Sequence, residues 1–396
     1  MSFKVGSIDQ PTSTGNQAYT GIGFQPKGLI LFTTNQTAYG NIDAGVIVQG
    51  FSDGTNDTAQ FVEVNADADT TSSGLSTTQI INNTVETVNA TVNSFDSDGF
   101  TLNWGAVEGT VRKVGYVAFG GALVTNVEVG SFVSDVSAND IEVNLVGSFQ
   151  PDCVLFFGNN DGDNNFGFGW TVGTSVGDEA AISTRWRSGA SIDVGVSWAN
   201  DRCFMAADDT TTPNSQLFLS TFDADGFTLS RSASTDAQNI SYMAIKGGNF
   251  AVGNFQSPIG AGEIVVSGES FSPEGILFLA TPGTTVDSDE LNSYIGVGAA
   301  DSSGEIVYSI AKNLSTDAEI ALLDTKCINL TDTAGTVVEE ADIKTLDSGG
   351  FTVTYTTAET DQNRVFWLMF RGTSAVVFEY VPILAQRIVR HSGRYV

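Results

Sequence analysis

The sequence contains the same order of landmarks three times, and this internal repeat constrains the fold more than any other feature. Each copy opens on Val-Gly, places a Phe-x-Pro motif before an apolar run, and later carries a Gly-Phe turn that leads into an alternating strand. The prolines of the motif, Pro26, Pro151 and Pro273, are 125 and 122 residues apart. Landmarks that keep one order and one spacing indicate three copies of one structural unit.

Within each copy the hydrophobic pattern is that of β-strands. Apolar and polar residues alternate, as along Phe100, Leu102 and Trp104, and turn residues separate these stretches. The four-residue apolar runs after each proline are too short for helices and predict strands that are buried on both faces. A unit of about 124 residues has the size of one sandwich. The sequence therefore predicts an all-β chain of three tandem β-sandwich or jelly-roll-like repeats plus a short C-terminal extension.

The landmarks also place the domain boundaries. Repeat 1 spans 1–121, repeat 2 spans 129–248, repeat 3 spans 252–372, and a C-terminal attachment segment follows at 373–396. Because the linkers between repeats are short, we expect neighbouring repeats to pack against each other. We also expect three tandem sandwiches to form an elongated arm.

The chain is strongly acidic. Its 46 Asp and Glu residues against 17 Lys and Arg residues give a net charge of −29. Such a surface lacks the cations that neutralise phosphates, which argues against nucleic-acid binding. No apolar run approaches the roughly 20 residues of a membrane span, so we predict no membrane insertion. The first residues carry no apolar stretch of the secretory type, and we expect no Sec export.

The residues of the common catalytic and zinc sites are scarce. The one histidine, His391, lies outside all three repeats, which excludes Ser-His-Asp and Cys-His chemistry. Cys153, Cys203 and Cys327 are too widely spaced for a zinc site, and the last two align with Ile80, which indicates a core position. Paired carboxylates remain an option, but most acids lie in turn sequences beside glycine. We therefore predict that the protein is not an enzyme.

One loop carries oxygen ligands at alternate positions. The run Asp161–Asn165 (DGDNN) starts like an EF-hand loop, but Val172 stands where the closing glutamate would be. The other two copies do not repeat this run. A hairpin loop is the preferred interpretation and a surface Ca2+ site is the alternative, with no other cofactor predicted.

Three tryptophans distinguish repeat 2. Trp170, Trp186 and Trp198 belong to this copy alone. An aromatic ring can pack in a core or stack on a sugar, and packing is the commoner role. We take the three residues as candidate ligand-facing aromatics, and repeat 2 as the repeat that would bind a ligand such as a host surface glycan.

The last 24 residues differ in character from the rest. They carry three arginines and one glutamate, hence a charge of +2 against −31 for the remainder, and they are rich in apolar side chains. An apolar and basic segment on an acidic body is typical of an attachment element. The alternative is a last strand and helical turn packed on repeat 3. The candidate attachment residues are Phe378, Tyr380, Ile383, Leu384, Arg387, Arg390 and Arg394.

The repeat unit resembles repeats in structural proteins of tailed bacteriophages. The resemblance covers residues 5–372 and rests on the Val-Gly opening, Gly-Phe-Gln-Pro before a buried strand, the Asp-Gly-Phe-Thr hairpin and a closing aromatic strand that ends in Gly-Gly. It implies a virion protein and transfers no functional residue. We expect other virion proteins as partners, a homo-oligomer, and synthesis in a host cytoplasm with release by lysis, because the thiols are unpaired and the composition is that of exterior proteins.

The leading functional hypothesis is a non-enzymatic structural protein on the exterior of a tailed-phage virion. Within it, a tail or fibre component that contacts the host is preferred because of the expected elongated shape, and a capsid decoration protein is the first alternative. The second alternative belongs to another class, a surface or secreted protein that binds carbohydrate or degrades polysaccharide.

Overall fold

A computed structural model describes most of the chain in β-strands. The described residues are 2–43, 45–64, 72–83, 87–134, 139–159, 164–186, 194–207, 213–234, 237–283, 293–312 and 318–371. They form strands in antiparallel sheets and no helix, so the prediction of an all-β fold is confirmed. It follows that this part of the chain has no helix of the length and apolarity needed to cross a membrane.

The strands fall into three consecutive groups, named here the first, second and third sandwich. The first contains β1 (Ser2–Asp9), β2 (Gly15–Thr20), β3 (Pro26–Thr33), β4 (Gly40–Asp43), β5 (Gly45–Ser52), β6 (Asp57–Val64), β7 (Ser73–Ser76), β8 (Ile81–Asn82), β9 (Asn89–Asp96), β10 (Gly99–Ala106) and β11 (Lys113–Gly120). The second contains β12 (Asn126–Ser134), β13 (Ile141–Asn144), β14 (Cys153–Asn159), β15 (Asn164–Thr171), β16 (Glu179–Trp186), β17 (Val194–Ala199), β18 (Phe204–Ala207), β19 (Pro213–Asp223), β20 (Gly226–Ser234) and β21 (Gln238–Lys246). The third contains β22 (Asn249–Gln256), β23 (Gly262–Ser267), β24 (Gly275–Thr281), β25 (Ser293–Asp301), β26 (Glu305–Lys312), β27 (Ala318–Leu323), β28 (Ile328–Thr331), β29 (Val337–Asp347), β30 (Gly350–Thr357) and β31 (Arg364–Arg371).

Each sandwich consists of a larger inner sheet and a four-stranded outer sheet. The inner sheets run β1-β11-β3-β5-β6-β7, β12-β21-β14-β15-β16-β17 and β22-β31-β24-β25-β26-β27-β4. The outer sheets run β2-β10-β9-β8, β13-β20-β19-β18 and β23-β30-β29-β28. Corresponding strands thus occupy corresponding places in the three sandwiches. The exception is β4, which comes from the first sandwich and extends the inner sheet of the third.

The strand after each Phe-x-Pro motif is buried on both faces, as its apolar run predicts. In β3, Leu29 and Leu31 face the outer sheet of the first sandwich, whereas Ile30 and Phe32 face away from it. Successive side chains of a strand point to opposite faces, so this strand serves two cores at once. One core fills each sandwich, and the other lies beyond the inner sheets.

The second core is shared by all three sandwiches. The inner sheets face one another around it, and rings from different sandwiches meet there: Phe51 and Phe157 have ring centroids 4.4 Å apart, Phe32 and Tyr308 5.5 Å, and Trp198 and Phe366 5.4 Å. The expectation of an elongated arm is therefore wrong. An inner sheet with two apolar faces must bury both, and the three sandwiches do so by closing around one centre, the central core.

The three sandwiches contact one another in a cyclic order. The opening strand β12 lies on β5 and β6 of the first sandwich, β22 lies on β16 of the second, and β1 lies on β25 and β26 of the third. A head-to-tail contact that is used three times and returns to its start closes a ring. A single chain therefore builds the kind of arrangement that a trimer builds from three subunits.

The predicted core positions are occupied as follows. Ile80, Cys203 and Cys327 are fully buried, and the Sγ atoms of the two cysteines lie near Leu217 O and Ala341 O at 3.3 and 3.4 Å, so the predicted core position is confirmed. Burial holds the pKa of both thiols well above its usual range.

Candidate functional site

A carboxylate at the start of one inner strand is repeated in the three sandwiches. Asp57, Glu179 and Glu305 are the first residues of β6, β16 and β26. Asp57 Oδ2 accepts a hydrogen bond from Val92 N at 2.8 Å. Glu179 Oε1 accepts one from Leu219 N at 2.7 Å, and Glu305 Oε1 one from Ile343 N at 2.5 Å. Each of these acids therefore ties its inner sheet to its outer sheet.

The backbone donors lie next to β-bulges in the outer sheets. The register of β9, β19 and β29 with their partner strands shifts directly after Val92, Leu219 and Ile343. A bulge leaves a residue out of the ladder, and a buried N–H group beside it needs another acceptor. The three carboxylates supply that acceptor, which is a structural role.

Burial raises the pKa of all three acids. The pKa of Asp57 is raised to about 6, that of Glu179 to about 8 and that of Glu305 to about 7, in each case mainly because burial disfavours the charged form. Raised carboxyl pKa values also occur in catalytic acids, so each site needs a further test for access and for a second reacting group.

Glu179 meets that test better than its two counterparts. A cavity of about 200 Å³ reaches it and is lined by Thr174, Ser175, Val176, Glu179, Asp201, Phe218 and Leu219. Asp201 raises the pKa of Glu179 further by its charge and itself accepts a hydrogen bond from Arg202 Nη1 at 2.9 Å. The residue in the place of Asp201 is Thr78 in the first sandwich and Thr325 in the third. The second sandwich thus combines a buried acid, a second carboxylate and a cavity.

A larger groove lies between the second and third sandwiches. Its volume is about 490 Å³, within the range of ligand sites. It is lined by Gln150, Pro151, Asp152, Val172 and Phe222 of the second sandwich and by Gly248, Asn249, Phe250, Ser270 and Phe271 at the start of the third. We call it the junction groove. It combines aromatic rings with amide, hydroxyl and carboxylate groups.

The junction groove coincides with a change in linker length. Five residues separate β11 from β12, but only two separate β21 from β22. In the longer linker, Val124 is fully buried in the central core and its carbonyl accepts a hydrogen bond from Lys27 Nζ. The shorter linker consists of Gly247 and Gly248 and has no side chain to place there.

Two substitutions accompany the shorter linker. The first is at the residue after the motif proline, which is Lys27 in the first sandwich and Asp152 in the second. The Asp152 carboxylate accepts hydrogen bonds from Lys246 Nζ at 2.8 Å and from Gly247 N at 2.7 Å. The junction groove therefore has a carboxylate where the first junction has an ammonium group that bonds the linker.

The second substitution removes an acid that holds the other two junctions. Val129 N donates to Asp53 Oδ2 at 2.9 Å where the second sandwich meets the first, and Val5 N donates to Asp301 Oδ2 at 2.7 Å where the first meets the third. The register of the inner strands puts Val172 at this position in the second sandwich. Val172 lines the junction groove, so this junction alone has an apolar side chain there.

Two of the candidate ligand-facing tryptophans do not face a ligand. Trp170 is 0% exposed and Trp198 is 3% exposed, and both pack in the central core. Their interpretation as ligand-facing aromatics is wrong, because the inner face of the second sandwich is covered by the other two sandwiches. Trp186 ends β16, and its side chain lies outside the described part of the structure.

The other predicted sites fall largely outside the described residues. These comprise the whole attachment segment, with Phe378, Tyr380, Ile383, Leu384, Arg387, Arg390 and Arg394, and positions 160–163 of the loop considered for Ca2+. Within the described ranges, no three His, Cys, Asp or Glu side chains come together in a group that could hold a metal ion.

Sequence reasoning missed the repeated carboxylates and the junction groove. The signal for the carboxylates was an acid at the start of the same strand in all three copies. The signal for the groove was the second linker, which is shorter than the first and consists of two glycines. The sequence matches no known family model, and no curated protein is similar to it.

Proposed function

We propose that the protein is a non-enzymatic structural component on the exterior of a tailed-phage virion. The observation that carries the proposal is the closed ring, in which one chain builds a three-fold arrangement around the central core. Such a ring presents three similar outer faces to a symmetric particle surface. The sequence resemblance to phage structural repeats and the acidic body support the same assignment.

The ring weakens the preference for a tail fibre over a capsid decoration protein. The preference for a tail fibre rested on an elongated arm, whereas the three sandwiches form a compact ring. A compact ring with three similar faces suits a decoration protein or a ring on the tail, and an attachment segment at 373–396 would fix it to the particle.

Purified particles test this proposal. Mass spectrometry should detect the protein in particles purified by density gradient, and a map of the particle should contain a ring with three-fold-like density on its surface. A chain that ends at residue 371 should remain in the lysate. Absence of the complete chain from purified particles would overturn the proposal.

A second candidate function, polysaccharide hydrolysis, is favoured by the cavity at Glu179 and Asp201. Glycoside hydrolysis requires an acid with a raised pKa and a second carboxylate. If this function is correct, Glu179→Gln abolishes the release of reducing sugars from a polysaccharide that the unmodified protein hydrolyses. Glu305→Gln, the corresponding change in the third sandwich, leaves this activity intact. Equal activity of both variants, or none in the unmodified protein over a panel of polysaccharides, contradicts it.

A further inference from the structure

The first junction illustrates what fills the space that the junction groove leaves open. There the linker passes between the sandwiches in a turn at residues 121–123, and Val124 follows with its side chain buried and its carbonyl bonded to Lys27. At the second junction this stretch is three residues shorter, and the groove is open. The natural occupant of the groove is therefore another segment of chain with apolar side chains.

The chain leaves the third sandwich at the rim of this groove. Arg371, the last residue of β31, is the register partner of Asn249, which lines the groove. The preceding pair, Phe370 and Phe250, has ring centroids 5.6 Å apart, and Phe250 also lines the groove. Paired residues on neighbouring strands are about 5 Å apart, so the segment after residue 371 starts within one strand spacing of the groove.

The charges of the groove and of the segment are complementary. Asp152 replaces the cation found at the first junction, and its side chain is 37% exposed, so a second cation can reach it. Residues 373–396 carry a charge of +2, whereas the rest of the chain carries −31. The segment also supplies apolar residues for contacts with the aromatic rings of the groove.

We infer that the junction groove is the docking site of the chain's own C-terminal segment, residues 373–396. Apolar side chains of the segment pack against Phe222 and Phe250, and one of its arginines pairs with Asp152. A segment held in this way is withdrawn from partners, so free chains do not associate through it before they meet a particle. The inference concerns the purified protein and does not rest on the virion proposal.

Limited proteolysis of the complete chain tests the inference, because trypsin cleaves after Arg387, Arg390 and Arg394. Filling the groove with Ser270→Trp should release the segment and accelerate these cleavages strongly. Asp152→Asn should accelerate them by about five-fold, the effect of losing one partly exposed ion pair. The matched controls are Ser267→Trp, also exposed in the third sandwich, and Glu142→Gln, exposed on β13, neither of which lines the groove.

A second measurement uses a synthetic peptide of residues 373–396 and fluorescence anisotropy. The described strands and cores all lie within residues 2–371, so a chain that ends there retains every contact described above. The peptide should bind this shorter chain at one site and more weakly at high salt, should not bind its Ser270→Trp variant, and should not bind the complete chain, whose groove is already filled.

Three results would overturn the inference. The first is equal cleavage rates in the groove variants and in the unmodified chain. The second is failure of the peptide to bind the shorter chain, or equal binding to the shorter and the complete chain. The third is a complete chain that is oligomeric and becomes monomeric without the segment, since a neighbouring copy would then be its partner.

Discussion

The cores inside the sandwiches and the central core are built from the same repeat, yet they differ in how far the repeat is kept. Inside the sandwiches, corresponding positions hold similar residues, as at Phe100, Phe227 and Phe351. In the central core, by contrast, one position holds Gln49 in the first sandwich, Phe168 in the second and Val297 in the third. Each sandwich fills its own core with its own side chains, whereas the three sandwiches together fill the one central core with different side chains.

The central core therefore makes the three sandwiches non-equivalent. Gln49 is buried, and its Oε1 accepts a hydrogen bond from Tyr308 Oη of the third sandwich at 2.6 Å. Tyr308 also packs against Phe32 and Phe166 of the other two sandwiches. A polar residue from one sandwich is thus matched by one particular residue of another, which fixes the identity of each sandwich in the ring.

The largest effects should come from removing a fully buried ring, first of all in the central core. Phe157 is fully buried against Phe51, and Phe157→Ala removes a ring that joins two sandwiches. We expect a loss of about 3–5 kcal/mol in the free energy of unfolding and a single transition in which all three sandwiches unfold together. Denaturant unfolding followed by tryptophan fluorescence and circular dichroism measures both.

The corresponding change inside a sandwich is Phe227→Ala in the second. It should cost a similar amount, because Phe227 is equally buried. Separate transitions in the unmodified protein, one for each sandwich, would contradict the view that the central core couples them.

The pH dependence should arise inside the sandwiches, from Asp57, Glu179 and Glu305. Their pKa values in the folded protein, about 6, 8 and 7, lie above the value of about 4 for unfolded chains. The folded state therefore binds protons that the unfolded state has lost, and stability falls as the pH rises from about 4 to about 8. The melting temperature should be higher at pH 5 than at pH 8.

Amide variants identify the source of this slope. Glu179→Gln keeps an oxygen for Leu219 N but cannot titrate, so it should flatten the pH dependence of the melting temperature more than Asp57→Asn. Glu339, whose pKa burial raises to about 7 in the third sandwich, should leave a residual slope in the triple variant of the three repeated acids. An unchanged slope in Glu179→Gln would contradict the assignment.

The polar contact in the central core should have a smaller effect. Tyr308→Phe removes the hydroxyl that bonds Gln49 and leaves a buried amide oxygen without this donor, at an expected cost of about 1–3 kcal/mol. Combining it with Gln49→Leu should recover part of that loss, because both polar partners are then gone. Additive losses in a double-mutant cycle would mean that the two side chains do not interact.

The last comparison is among the three Phe-x-Pro phenylalanines, whose equivalent positions in the repeat alone predict equal losses. Phe271 is 4% exposed, whereas Phe24 and Phe149 are only partly buried against their cores. We expect Phe271→Ala to cost about 3–5 kcal/mol and the other two roughly half as much, since less apolar surface is lost. Equal losses in urea unfolding would contradict this ranking.

The repeat predicted local structure well because its conserved spacing and apolar pattern reflect the packing of side chains within one sandwich. The strands after Pro26, Pro151 and Pro273 and the buried position of Ile80, Cys203 and Cys327 followed from periodicity and alignment. The ring did not follow, because a strand buried on both faces can be covered by another sheet of the same unit or by a neighbouring unit. The buried position of Trp170 and Trp198 could not be predicted for the same reason.

The pairing of β4 with β27 has a consequence for synthesis on the ribosome. Together with the hydrogen bond between Val5 and Asp301, which are 296 residues apart, it joins the first sandwich to the third, which is translated later. In the first sandwich, Phe51 is therefore uncovered until the second sandwich is translated and Phe32 until the third is, and contacts this distant in sequence form slowly. During this interval the nascent chain exposes an apolar sheet face that a chaperone or another nascent chain can bind, so the yield of folded protein depends on how quickly translation reaches the third sandwich.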